Sequence, residues 1–118
     1  MNSNLYNTAY DMERAVRGSK EFTELKSLYN QVNVDQSASR MFENFRQIQM
    51  TLQQKQMNGQ EIRPEEVEQA QKTVALVQQH PLISRLMEAE QRMSMVIAEL
   101  NKIIMKPLEE IYGAPEQQ

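Results

Sequence analysis

The chain of 118 residues has no cysteine and no tryptophan, a single histidine, three glycines and four prolines. Without cysteine there can be no disulfide, no thiolate-bound zinc, no iron–sulfur cluster and no cysteine nucleophile. That fits the reducing cytosol. Three glycines scattered singly, at Gly18, Gly59 and Gly113, leave no glycine-rich loop to cradle a phosphate. No run approaches the ~18 apolar residues of a membrane span. The opening stretch MNSNLYNTAYDMERAVRG lacks the apolar core of a secretory signal. A cytoplasmic location is expected.

An excess of positive charge is missing too. The formal net charge is −3. The chain through Gly59 has seven basic and six acidic side chains, and the remainder has six basic and ten acidic. A duplex-binding surface needs concentrated Lys and Arg, so nucleic acid is a disfavoured partner. The basic residues to consider for RNA are Arg14, Arg17, Lys20, Lys26, Arg40 and Arg46. No aromatic platform for stacking bases accompanies them.

Helical periodicity is what remains. Forty per cent of residues are hydrophobic and 25% charged, a globular balance. No stretch alternates as a strand would, and the prolines and glycines fall where helical patterns start or stop. The reading is all-α: a bundle of about five helices in one domain over 1–118, with a long C-terminal helix and a loose tail at 114–118. The first helix spans about Asn4 to Arg17, with Leu5, Ala9, Met12 and Val16 as its stripe and Gly18 as its C-terminal cap. Ser19 caps a second helix, and Asp35 caps a third that reaches Met57. Pro64 opens a fourth, and a fifth runs from about Leu82 to Lys106. Pro107 ends the fifth helix or bends it into a final turn.

The fifth helix is apolar over too much of its circumference. At about 100° per residue its apolar residues cover an arc of roughly 220°, against roughly 100° for a helix buried on one side. Leu100 and Ile104 lie mid-stripe and are expected in the core. Met87, Ala98 and Met105 lie at the edge of the arc and are the candidate dimer interface. In the third helix, Met50 and Met57 lie opposite the main stripe and Phe42 beside it. These three are the candidate surface for an outside partner, since methionine suits adaptable contacts. A homodimer is therefore expected.

No catalytic constellation emerges. His80 precedes Pro81 and is expected either to cap the last carbonyls of the fourth helix or to lie at the surface. A di-iron bundle site would use Glu-x-x-His on two helices, whereas Val77 stands three residues before the only histidine. Glu65, Glu66 and Glu68, like Glu88 and Glu90, read as solvated helix faces. No enzyme, cofactor or metal site is expected.

Two segments carry a resemblance. RMFENFRQIQMTLQQKQMNGQEI and QAQKTVALVQQHPLISRLMEAEQRMSMVIAELNKIIMKPLEEIYG closely resemble the YlbF/YmcA family of small bacterial helical proteins, and within it the YheA branch, whose function is unassigned. The similarity covers about Tyr6 to Gly113. It implies an all-α fold, self-association and a regulatory role in Gram-positive bacteria. Better-known members act in competence, sporulation and biofilm formation, in a complex that adjusts an endoribonuclease of mRNA turnover and maturation. Iron–sulfur clusters held by cysteines are associated with that complex, and the absence of cysteine here means this property does not carry over. The resemblance supplies no catalytic motif. A non-enzymatic adaptor acting through protein contacts is the leading expectation, and a direct RNA-binding accessory factor the alternative.

Overall fold

The structure, a computed structural model, describes residues 2–113, with side chains from Asn4 onward. The expected tail at 114–118 lies outside the described residues. Five helices follow in order: α1 (Asn2–Arg17), α2 (Lys20–Val34), α3 (Gln36–Met57), α4 (Pro64–Gln79) and α5 (Pro81–Tyr112).

The boundaries have local causes. The Ser19 hydroxyl accepts from the Phe22 N–H at 3.2 Å, and the Asp35 carboxylate accepts from the Ala38 N–H at 2.9 Å, so each satisfies an orphan donor of a first turn. Gly59, at φ 69°, makes the left-handed turn that ends α3, a conformation in which a side chain would be strained. At α4 the Glu66 carboxylate reaches back to the Arg63 N–H at 2.9 Å, and its other oxygen pairs with Lys55 in the last turns of α3. That pair ties the two ends of the α3–α4 loop together. Gly18 is the exception to the expected caps: its φ is not positive, and a simple continuation of the backbone bonds, Gly18 N–H to Arg14 C=O at 3.0 Å, closes α1.

The core gathers Leu28 and Val32 of α2, Ala38, Phe42 and Phe45 of α3, Val77 of α4, and Ile83, Leu86 and Ala89 of α5. All the α5 members come from its first three turns. Val32 is the most deeply buried residue of α2, near its C-terminal end, while Ile83 and Leu86 are the most deeply buried of α5, near its start. Glu24, early in α2, pairs with Arg92, later in α5. The two helices are therefore antiparallel, and the start of α2 lies level with about Val96.

Beyond that level no other described helix runs beside α5. Its 32 residues span about 48 Å and the 15 of α2 about 22 Å. Residues 97–112 thus overhang the bundle. α1 leaves from the same end through Gly18 and packs only against α2. With these two projections the radius of gyration is 18.7 Å, against about 13.5 Å for a compact domain of this length.

Two sequence expectations are corrected here. Leu100 is only half-buried and Ile104 is 63% exposed, so neither is core. Of the two outcomes expected at Pro107, ending α5 is overturned: the helix continues through it to Tyr112. Lacking an N–H, Pro107 leaves the Ile103 carbonyl without its usual partner four residues on. At 48% exposure of the adjoining Leu108, water can reach this turn and satisfy the orphan.

Candidate protein-interaction surfaces

The first surface is the pair of projecting arms. On the outer half of α5, Ile97, Ile104 and Ile111 repeat every seven residues, with Leu100 interleaved as in a coiled-coil seam. Ile104 and Ile111 are 63% and 72% exposed. Ala98, Met105, Leu108 and Tyr112 border an open groove of about 660 Å³ along the side of the same helix. On α1, Leu5, Tyr6, Tyr10 and Met12 are exposed. The α1 stripe is covered only toward its end, where Val16 is half-buried.

The second surface lies between α2 and α3. A groove of about 360 Å³ is lined by Tyr29, Asn33, Phe42, Glu43, Arg46 and Met50. The Arg46 guanidinium sits over the Phe42 ring, 5.5 Å from its centroid, a cation–π arrangement. Tyrosine, methionine and arginine are residue types enriched at protein interfaces, and here they share the groove with Asn33, Ser39, Glu43 and Gln47. Met57 is fully outside, on the last turn of α3.

The sequence-derived candidates are thus divided. Ala98 and Met105 share one groove on the free half of α5, whereas Met87 packs against the core and is not part of that surface. Met50 and Met57 are exposed, and only Met50 joins the α2–α3 groove. Phe42 is corrected from surface to core: it is 6% exposed and stacks beside Phe45, with ring centroids 6.5 Å apart. Periodicity alone assigns Ile104 to the core, because a stripe reports an apolar face without saying whose chain covers it. The signal that could have exposed the error was length: no other helix is long enough to flank all of α5.

Charged groups are used structurally. Arg14 pairs with Asp11 and Arg17 with Glu13 within α1, so two basic side chains are neutralised. The Lys55 hydrogen bond, and then the Arg63 N–H, hold the Glu66 carboxyl below its ordinary pKa. Burial pushes Glu90 up, with Arg46 pulling weakly the other way. His80 stands at the α4–α5 joint, where its N–H bonds the Val77 carbonyl at 3.2 Å. Of the two expected roles of its imidazole, capping is not seen through Nδ1, which is buried and has no hydrogen-bond partner among the described residues; the residue as a whole is half-buried. Among the described residues no three His, Asp or Glu side chains come together to hold a metal ion, and no helix is long and apolar enough to cross a membrane.

Fold and surfaces together define a small all-α protein with a core at one end and exposed apolar residues on α1 and the outer half of α5. The family model described as "Control of competence regulator ComK, YlbF/YmcA" matches residues 5–109, and the chain belongs to that family. Within it the chain is 73% identical to UPF0342 protein YheA of Bacillus subtilis strain 168 over 113 residues, covering 96% of this chain and 97% of the relative. Two solved structures are similar. A protein of unknown function (DUF964) from Bacillus stearothermophilus is 48% identical, with a TM-score of 0.86 over 96% of this chain and 99% of that one. The YheA structure from Bacillus subtilis is 63% identical, with a TM-score of 0.71 over 91% of this chain and 97% of that one. Superposition and identity run in opposite order between the two structures.

Proposed function

We propose that the protein is a non-enzymatic regulatory adaptor, a homodimer in the cytoplasm that acts by binding other proteins, within the competence, sporulation, biofilm or mRNA-processing control associated with its family. The observation that carries the reading is the presence of two separate exposed surfaces on one small chain: the apolar projecting arms, and a mixed polar and apolar groove between α2 and α3. An adaptor needs one surface for self-association and another for its target. The projecting arms serve the first, and the α2–α3 groove with Met50 serves the second. The ion pairs of Arg14 and Arg17 leave little free positive charge on α1, which favours a protein target over RNA.

The test compares the wild-type chain with Met50→Glu/Met57→Glu as bait. Both methionines are exposed, so the variant keeps its helicity and its mass in solution. A defined set of proteins captured by the wild type and lost by the variant supports the adaptor reading. Equal capture by both, or RNA binding that weakens steeply with salt, overturns it.

A further inference from the structure

Asn58 and Gly59 form the one Asn-Gly pair in the chain; every other asparagine is followed by a residue with a side chain. Both lie exposed where α3 ends. The turn needs its glycine, because at φ 69° a side chain would be strained. The same lack of a side chain leaves the Gly59 amide nitrogen unshielded, with nothing within 4 Å of where a Cβ would stand. Asn58 carries a carboxamide carbon that can close a five-membered ring onto that nitrogen.

We propose that Asn58 is a self-modifying site, and that the capping turn of α3 sets its rate. In the reaction the Gly59 nitrogen gives up its proton and attacks the Asn58 Cγ. A C–N bond forms, the bond from Cγ to the side-chain amide nitrogen breaks, and ammonia leaves with the proton. Water then opens the succinimide ring. Opening at Cγ leaves aspartate, and opening at the backbone carbonyl leaves isoaspartate. Water is the only other reactant.

Three backbone bonds hold the pair away from this reaction. The Asn58 N–H donates to the Gln54 carbonyl at 3.0 Å, the Gly59 N–H to the Gln56 carbonyl at 3.2 Å, and the Gln60 N–H to the Lys55 carbonyl at 2.8 Å. The attacking nitrogen therefore points back into α3 with its proton engaged. Asn58 has ψ 2°, which sets that nitrogen beside the Asn58 N–H and away from the side chain. Ring closure needs ψ to rotate by more than a right angle, and that rotation breaks the turn. The Lys55–Glu66 ion pair braces the turn from across the α3–α4 loop. Fraying of a helix end is a low-cost opening, so the site is slowed and not shut. The product places a carboxylate at the negative end of the α3 dipole, which loosens the last turn. The new charge adjoins Met57, which is 79% exposed. Modification therefore also lowers capture through Met57; this last effect rests on the adaptor reading, and the modification does not.

Mass spectrometry decides it. The full-length chain is held in mildly alkaline buffer, folded in one sample and in urea in the other, and the tryptic peptide that begins at Gln56 is followed with time. Asn58 is expected to convert to aspartate and isoaspartate, resolved by chromatography, while Asn30, Asn44 and Asn101 stay intact. Conversion should run about tenfold faster in urea, where the turn is already open. Glu66→Gln removes the ion pair, and its amide oxygen still accepts from the Arg63 N–H. This variant should modify faster than the wild type while its thermal melt stays cooperative. Asn58→Asp should lose hydrogen-exchange protection over Gln53 to Met57 with the amides near Leu86 unchanged, and Asn58→Gln should keep it. The inference is overturned by an intact Asn58 in urea, by equal rates in the two samples, or by conversion spread evenly over the asparagines. An unchanged rate in Glu66→Gln, or full protection in Asn58→Asp, overturns the part given to the turn. Capture by Asn58→Asp is compared with the wild type separately. A wild-type bait that captures nothing counts against the adaptor reading alone, since the mass change is read without a partner.

Discussion

Leu86 and Ile104 occupy the same angular position on α5, eighteen residues and so five whole turns apart, about 27 Å along the axis. Leu86 is 0% exposed and Ile104 is 63% exposed. One apolar face therefore has two different fates on a single helix. The nearer half shares the core with Val32 and Val77, and the farther half is left exposed by the described residues.

This contrast sets the first prediction. Leu86→Ala removes a fully enclosed side chain and should cost about 2–5 kcal/mol of stability at any protein concentration. Ile104→Ala should cost little in dilute solution and show its penalty only at concentrations where self-association operates. Urea unfolding at two protein concentrations separates the two; equal, concentration-independent losses would contradict the assignment of faces.

Phe42→Ala should also be severe, about 3–5 kcal/mol, because its ring is enclosed with Phe45 and supports the Arg46 guanidinium. The exposed Met50→Ala, in the same groove, should stay within about 0.5 kcal/mol. Thermal melts of both variants check the difference.

Two carboxylates should give pH effects of opposite sign. Glu66 is held below its ordinary value by the Lys55 hydrogen bond and then by the Arg63 N–H. Its contribution is present above the unfolded value of about 4.5 and is lost as pH falls through the lower folded value. Glu66→Gln should flatten the acid limb of a stability–pH profile, and Lys55→Met should do most of the same.

Glu90 behaves the other way. Burial raises its value in the fold, so the folded chain holds this proton longer than the unfolded one. Stability from this group is present below the unfolded value and is lost as pH rises through the raised folded value. Glu90→Gln should therefore gain on the wild type as pH rises from acid to neutral, measured by urea midpoints across that range. A gain confined to acid pH would have the wrong sign.

Pro107→Ala should strengthen the outer half of α5. It restores an N–H for the Ile103 carbonyl and removes a clash, together worth up to about 3 kcal/mol in a helix interior. Hydrogen exchange should show greater protection of residues around Ile103 to Ile111, with core amides near Leu86 unchanged.

The sequence by itself determined where the helices are. Ser19, Asp35 and Pro64 act through backbone donors within a turn of themselves, so α2, α3 and α4 begin where those residues predict. Spacing also marked α5 as apolar on more than one side, and the runs around RMFENF and PLISRLM pointed to the family that the comparison found. Periodicity is a local quantity, however, and burial is a relation between segments distant in the chain. That Phe42 is core, that Met87 packs inward while Met105 does not, and that Ile104 stands outside depended on where α2 ends against α5 and on the direction in which α1 leaves Gly18. Those are matters of helix length and crossing, which the chain fixes only when distant residues such as Glu24 and Arg92 meet.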